Sequence, residues 1–374
     1  MTKLIDITGK SLSGEWGTDD LDGTGIRVLR TTNFTNDGVV DYNDVVTRKI
    51  AKKNLDSKYL RHGDIIIEKS GGSDKQPVGR VIYFEGPEQT YLFNNFTGLL
   101  RVHDRNTWLP RYVFYSLFSN YLMGGTMAYE NRTTGLHNLQ TDSYISSFEV
   151  RPVSIEKQVE ICSNLDKIIH MISLKKKQIS KLDELVKSRF VEMFGTVHNN
   201  VFQFAEGTLE SISYEFFAGG DKPSDCTTER DEAHPYPVFA NGYENEGLQG
   251  YSAKCRVTQP AVTVSARGTI GYCFIREAGF TPVVRLITIV PNNKVSPVFL
   301  KYAIDTMDIK SSGTSQAQLT VPDFKRERII VPPADLQGQF AAFVSQVDKS
   351  KLAVQQSLEK LETLKKSLMQ QYFG

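Results

Sequence analysis

At 374 residues, with 40% hydrophobic and 23% charged residues, the chain exceeds what one core usually organises, so two or more globular units are expected. A net charge of +1 excludes a simple polycationic clamp on nucleic acid, because phosphate neutralisation needs clustered Lys and Arg. No apolar run reaches the roughly 18 residues of a membrane span, and the opening MTKLIDITGKSLSGEW lacks a signal-peptide core, which points to a cytoplasmic protein.

Taken in chain order, short β-branched or aromatic runs bounded by Gly, Pro or charge predict strands at Ile65 to Ile67, Val81 to Phe84 and Leu99 to Val102. Leu109 to Leu122 reads as a helix with a proline near its first turn. A long amphipathic helix follows Pro152 and is closed by Gly195. The same order then returns: strands at Val262 to Val264, Tyr272 to Ile275 and Val284 to Val290, a helix at Pro297 to Met307, and a second long helix after Pro333, with Asp335 as candidate N-cap and Gly374 at its end.

The chain thus repeats itself. LQTDSYISSFEVRPVSIEKQ from Leu139 matches LTVPDFKRERIIVPPADLQGQ from Leu319. At nearly the same offset, ISKLDELVKSRFVEMFG ends at Gly195 and LEKLETLKKSLMQQYFG at Gly374. Two copies are too few for a solenoid. They suggest one chain imitating a two-fold dimer.

In the long helices, apolar residues step by three and four. The first seam reads Leu165, Ile168, Ile172, Lys175, Ile179, Leu182, Val186, Arg189, Met193. The second reads Phe340, Val344, Val347, Lys351, Val354, Leu358, Leu361, Lys365, Leu368, Tyr372. A helix of about 39 residues, roughly 57 Å long at 1.5 Å per residue, needs a partner for its stripe. The other helix, antiparallel, is the expected one. The expected fold class is α+β: two globular mixed α/β domains at 1–150 and 196–331, and two coiled-coil helices at 151–195 and 332–374, with pseudo-two-fold symmetry.

Polar, glycine-rich loops (KSGGSDKQPVGR from Lys69, SARGTIG from Ser265, NGYENEGLQGY from Asn241) carry the side chains that read or hold nucleic acid: Arg and Lys for guanine or phosphate, Asn and Gln for adenine. The candidates are Lys69, Lys75, Gln76, Arg80, Arg132, Asn138, Asn241, Arg267, Gln316 and Gln318. Net charge is −1 over 1–150, +3 over 151–195, −2 over 196–330 and +1 over 331–374, so any such surface is a local patch made by folding.

Catalytic signatures are lacking. There is no GxxxxGK[ST] loop and no GxSxG, and the six histidines form no i, i+4 pair. The four cysteines, Cys162, Cys226, Cys255 and Cys273, form no CxxC pair, so reduced structural thiols and no metal are expected. DIIIEK from Asp64 places two acids near a lysine, but Glu68 and Lys69 point to opposite faces of a strand, and the second-half counterpart has no acids.

Two variable α/β units alternating with two long helices, each preceded by a hydrophobic strand and Pro-x-x-x-x-x-Gln (Pro152 to Gln158, Pro333 to Gln339) and ended by Phe-Gly, resemble the specificity subunit of type I restriction–modification systems. The resemblance implies two target-recognition domains, each reading half of a bipartite double-stranded DNA site, and antiparallel helices that set the unread spacer. Seam residues Leu165, Ile168, Ile172, Ile179, Leu182, Val347, Val354, Leu358, Leu361 and Leu368 belong to the helices expected to dock two methyltransferase subunits. Motor-nuclease subunits complete such a complex. The resemblance implies no catalysis and no cofactor in this chain, with S-adenosylmethionine, ATP and Mg on the partners. The chain enters its first recognition domain almost at once, without an N-terminal helical segment. A coiled-coil protein–protein adaptor without DNA binding, and a nuclease using Asp64 and Glu68, are the alternatives.

Overall fold

A computed structural model of the protein describes all residues except 53, 75, 134–135, 197–198, 269, 308 and 310–317; for residues 132, 133 and 136 it describes the backbone alone. The chain forms two compact units, Met1–Leu174 with Ser357–Gly374, and Lys175–Gln356. The boundaries fall inside the long helices, so each unit contains part of both.

The first unit is built around Ile65–Glu68, a central strand flanked by Thr97–Leu100 and Val81–Tyr83, with Leu12–Ser13 at the edge. Three consecutive isoleucines suit a strand covered on both faces. Ile65 and Ile67 join the core beneath the helix Pro110–Leu122, and Ile66 points the other way into a cluster with Phe84 and Phe93. That second cluster lies under another sheet, in which Ile26–Leu29 pairs antiparallel with Val46–Lys49 and parallel with Tyr91–Phe93.

The second unit repeats this plan. Ala261–Val264 is flanked by Cys273–Arg276 and Ile287–Pro291, with Ser213–Ala218 at the edge. Tyr236–Phe239 pairs parallel with Thr281–Pro282. The helix here is Pro297–Asp305, capped by the Ser296 hydroxyl, which accepts from Phe299 N. The strand expected from Val284 begins only at Ile287, because Val284 and Arg285 adopt φ of 50° and 60°, a left-handed turn incompatible with a ladder.

The long helices are Ile155–Phe194 and Ala334–Phe373, 40 residues each. Asp335 is not the N-cap: Ala334 already starts the helix, and Asp335 lies in its first turn, where a carboxylate favours the helix dipole. In the second unit the helices run antiparallel, since Phe194 packs on Phe340 at 5.5 Å while Asp183 pairs with Lys351 at 2.6 Å. In the first unit, Asn164 reaches Tyr372 at 3.4 Å.

The seam differs from its expected path at one end. Phe190 and Phe194 are buried, whereas Arg189 and Met193 are only half-buried. From Val186 the buried positions step by four, because the aromatic cluster of Phe299, Tyr302 and Phe340 lies on that side. The first unit has the same arrangement. Tyr112 and Tyr115 of its helix share a core with Ile161 and Leu165 of the first long helix and Met369 of the second, and Tyr112 meets Phe373 at 5.3 Å. Each unit is therefore closed by the start of its own long helix and the end of the other, a reciprocal exchange.

Candidate nucleic-acid interface

In the first unit the loops gather around a third sheet that the sequence did not announce, in which Leu136–Leu139 pairs with Glu130–Thr133 on one side and Ser70–Gly72 on the other. Register brings Asn138 opposite Ser70, and the Leu139 amide donates to the Lys69 carbonyl at 2.8 Å. Lys69 and Asn138 thereby line one cleft with Ser11, Ser13, Asn95 and the exposed ring of Phe96. The Lys69 ammonium donates to Ser13 Oγ at 3.1 Å, and burial holds its pKa below the ordinary lysine value. Gln76 donates to Asn36 Oδ1 at 2.8 Å. The backbone of Arg132 pairs with His137. Lys75 lies outside the described residues.

Arg80 is placed differently. Its guanidinium makes a two-pronged pair with Glu68, at 3.0 Å from Nε and 2.8 Å from Nη2, and donates to the Phe34 and Thr31 carbonyls. Its forked donors are spent inside the unit. Asp64, at the other end of the same strand, is clamped in the same way by Arg101, at 2.7 and 2.6 Å. Each acid of DIIIEK thus has its own arginine, which removes the free carboxylates a nuclease metal needs. Among the described residues no group of three or more His, Cys, Asp or Glu is placed to hold a metal.

In the second unit, Asn241 also serves the fold: it donates to the Val284 carbonyl at 2.6 Å and accepts from Ala266 N at 2.8 Å, tying two loops together. Exposed Arg267 donates to Gln318 Oε1 at 3.0 Å, so these two candidates meet at the surface. Gln316 lies outside the described residues. The turn bearing Arg267 is closed by Ser265 N donating to the Tyr272 carbonyl, and Tyr272 packs on Tyr243 with ring centres 4.9 Å apart. Both tyrosines are about half exposed. Tyr243 lies in the loop expected from Asn241, whereas Tyr272, expected to open a strand, stands just before the one at Cys273–Arg276.

The Tyr243 loop is held from below. Asn245 and Glu246 have φ of 46° and 52°, a strained pair for residues other than glycine. Arg276 secures them: it donates to Glu246 Oε2 at 2.8 Å and to Thr263 Oγ1 at 3.0 Å, and its guanidinium lies 3.7 Å from the Phe239 ring centre. Burial pulls its pKa down to about 10.

The seam residues named on the helices expected to dock partners are largely covered by the chain itself. Leu165, Ile168, Ile172, Val347, Val354 and Leu358 are buried, and Ile179, Leu182, Leu361 and Leu368 are half-buried. They form the seam. The large apolar residues exposed on these helices are Val159, Met171, Leu174, Leu185, Val191, Leu352 and Leu364. No described helix is long and apolar enough to cross a membrane.

A Mycoplasma pneumoniae protein named as a type I specificity subunit is 27% identical over 224 residues, 55% of this chain and 60% of its own length. A second such protein from the same organism is 38% identical over 136 residues, 36% of this chain and 41% of its own. The chain spans less than two thirds of either relative. Among solved structures, the S subunit of a type I restriction–modification system from M. genitalium shares the fold, with a TM-score of 0.57 at 15% identity, covering 100% of this chain and 95% of that one. A chain from a structure on assembly and conformational transition of the type I R-M system gives 0.57 at 16%, covering 100% and 96%. The sequence profile of the type I restriction modification DNA specificity domain matches residues 4–184 and 214–364, one stretch in each half of the repeat, and the chain belongs to that family.

Proposed function

We propose that the chain is the DNA-specificity subunit of a type I restriction–modification complex, in which each α/β unit reads one half of a bipartite double-stranded target. The observation that carries this reading is a constant frame bearing unlike loops. Both units close their cores with the same helix exchange, yet one presents Lys69, Asn138 and Phe96 where the other presents Arg267, Gln318 and the Tyr243–Tyr272 pair. Loops on a rigid scaffold are where recognition changes without loss of fold.

Chemistry then belongs to partners: methyltransferase subunits with S-adenosylmethionine, and motor-nuclease subunits using ATP and Mg. Leu185 and Leu364, exposed to 48% and 45%, stand at equivalent positions of the repeat and give both long helices the same apolar contact for a methyltransferase subunit. The test is a domain exchange. Replacing residues 1–150 with those of a relative keeps Thr2–Lys3 together with its pairing strand Glu149–Val150. Methylome sequencing of cells carrying the exchange should show one half-site changed and the other kept. Both half-sites changing, or neither, refutes the reading.

A further inference from the structure

We infer that the Lys69 cleft of the first unit seats one backbone phosphate of bound DNA and anchors that unit without reading sequence. The inference rests on the specificity-subunit reading and deepens it. Lys69 is half-buried, and its ammonium hydrogen-bonds the neutral Ser13 hydroxyl. No carboxylate lies within ion-pair distance of it among the described residues, although the half-buried Arg80, Arg101 and Arg111 of the same unit each have one. The Ser13 bond is open to solvent and the Asp142 charge acts on Lys69 without pairing with it, so the ammonium keeps donors free for an arriving anion. The cleft, about 570 Å³ in all, also presents the hydroxyls of Ser11, Ser13 and Ser70 and the carboxamides of Asn95 and Asn138, groups that donate to phosphate oxygens. Among the described residues lining it Asp142 is the acid.

Depth argues for phosphate rather than base contact. Base edges lie at the floor of a major groove roughly 8.5 Å deep, which only a projecting side chain reaches. The Lys69 backbone is fixed, its amide donating to Phe96 O and its carbonyl accepting from Leu139 N, both at 2.8 Å, and its side chain turns in to Ser13. Its stem lies over Gly98, where an added Cβ would come within 3.4 Å of the Lys69 Cδ. A phosphate oxygen, the outermost acceptor of the duplex, can enter such a recess. At the matching end of Ala261–Val264 stands Ser265, buried beneath its turn.

The experiment uses the full chain co-purified with its methyltransferase partner, as wild type, Lys69→Met and Lys69→Arg, with target and non-target duplexes at several salt concentrations. Lys69→Met should lose about ten-fold in affinity for both duplexes, and its salt slope should fall by about one. Lys69→Arg should keep most of the binding, which also shows that the site tolerates substitution. Neutral methylphosphonate placed at single positions should weaken the wild type at one position in one half-site and leave Lys69→Met unaffected there. Loss confined to the target duplex, or a changed half-site sequence, makes Lys69 a base reader and overturns the proposal. So does unchanged binding, or competition by inorganic phosphate without methylphosphonate sensitivity, which assigns the cleft to a free anion. Absence of DNA binding by the wild-type complex instead overturns the specificity-subunit reading itself, and this one with it.

Discussion

Gln158 and Gln337, at equivalent positions of the repeat, make the same three hydrogen bonds. Gln158 accepts from Leu109 N at 2.8 Å and donates to the Thr107 and Val153 carbonyls; Gln337 accepts from Ser296 N at 2.8 Å and donates to the Lys294 and Pro332 carbonyls. Both are buried. Each ties the first turn of a long helix to the loop that starts its unit's shorter helix. Matching the repeats by their prolines instead pairs Gln158 with Gln339, which is exposed. The hydrogen bonds correct that register.

Gln337→Leu leaves a backbone N–H and two carbonyls buried without partners, so it should destabilise the second unit by about 2–3 kcal/mol. Gln339→Leu, at the surface, should stay within about 0.5 kcal/mol. Thermal melts of the two variants make the comparison. Equal effects would refute the assignment.

The Glu68–Arg80 pair is nearly sealed from solvent, its side chains exposed to 1% and 16%. Arg80→Met strands a buried carboxylate and should cost about 3–5 kcal/mol, while Glu68→Gln with Arg80→Met should recover a large part of it. Any loss of DNA binding in Arg80→Met should track the unfolded fraction measured by circular dichroism. Loss of binding in a fully folded variant would return Arg80 to the interface.

Arg276→Met should release the strained Asn245–Glu246 turn and with it Tyr243. Hydrogen exchange across residues 241–248 should quicken, and recognition of one half-site should fail while the other is kept. Unchanged exchange would show that the turn holds itself.

Alkaline pH should unfold the protein. Burial, with the nearby Asp166 charge adding to it, pushes the Cys162 thiol from 9.0 up to about 12, and burial also raises the Cys273 thiol and the Tyr112, Tyr115 and Tyr144 phenols. The folded state thus holds protons that the unfolded chain releases at lower pH. The stability these groups contribute is complete below pH 9 and is lost as pH climbs towards 12. Urea midpoints should hold up to about pH 9 and fall from there to about pH 11, and at about pH 8 a thiol reagent should label Cys226 and Cys255 well before buried Cys162 and Cys273.

If partners dock on the exposed helix faces, Leu185→Asp with Leu364→Asp should abolish co-purification with the methyltransferase subunit and leave the melting temperature within a few degrees. Met369→Ala, by contrast, should cost about 2–3 kcal/mol, since Met369 fills the first unit's core. Retained co-purification in the double Asp variant would place docking elsewhere.

Sequence alone determined what is periodic and local. The three-and-four spacing from Leu165 and from Phe340, closed by Gly195 and Gly374, specified two long helices, because helix periodicity and caps are properties of neighbouring residues. The isoleucine run at 65–67 specified a strand, and its burial on both faces came from folding. Tertiary structure decided which polar side chains are spent. Arg80 and Asn241 resemble Lys69 and Arg267 in the sequence, loop residues all, but Arg80 is consumed by Glu68, twelve positions away, and Asn241 by Val284, forty-three away. Likewise only folding brings Ser13, Phe96 and Asn138 around Lys69, and only the aromatic cluster on one side turns the seam from Arg189 to Phe190. These outcomes depend on partners that chain proximity does not encode, and a polar group's role is set by whether such a partner reaches it before water does.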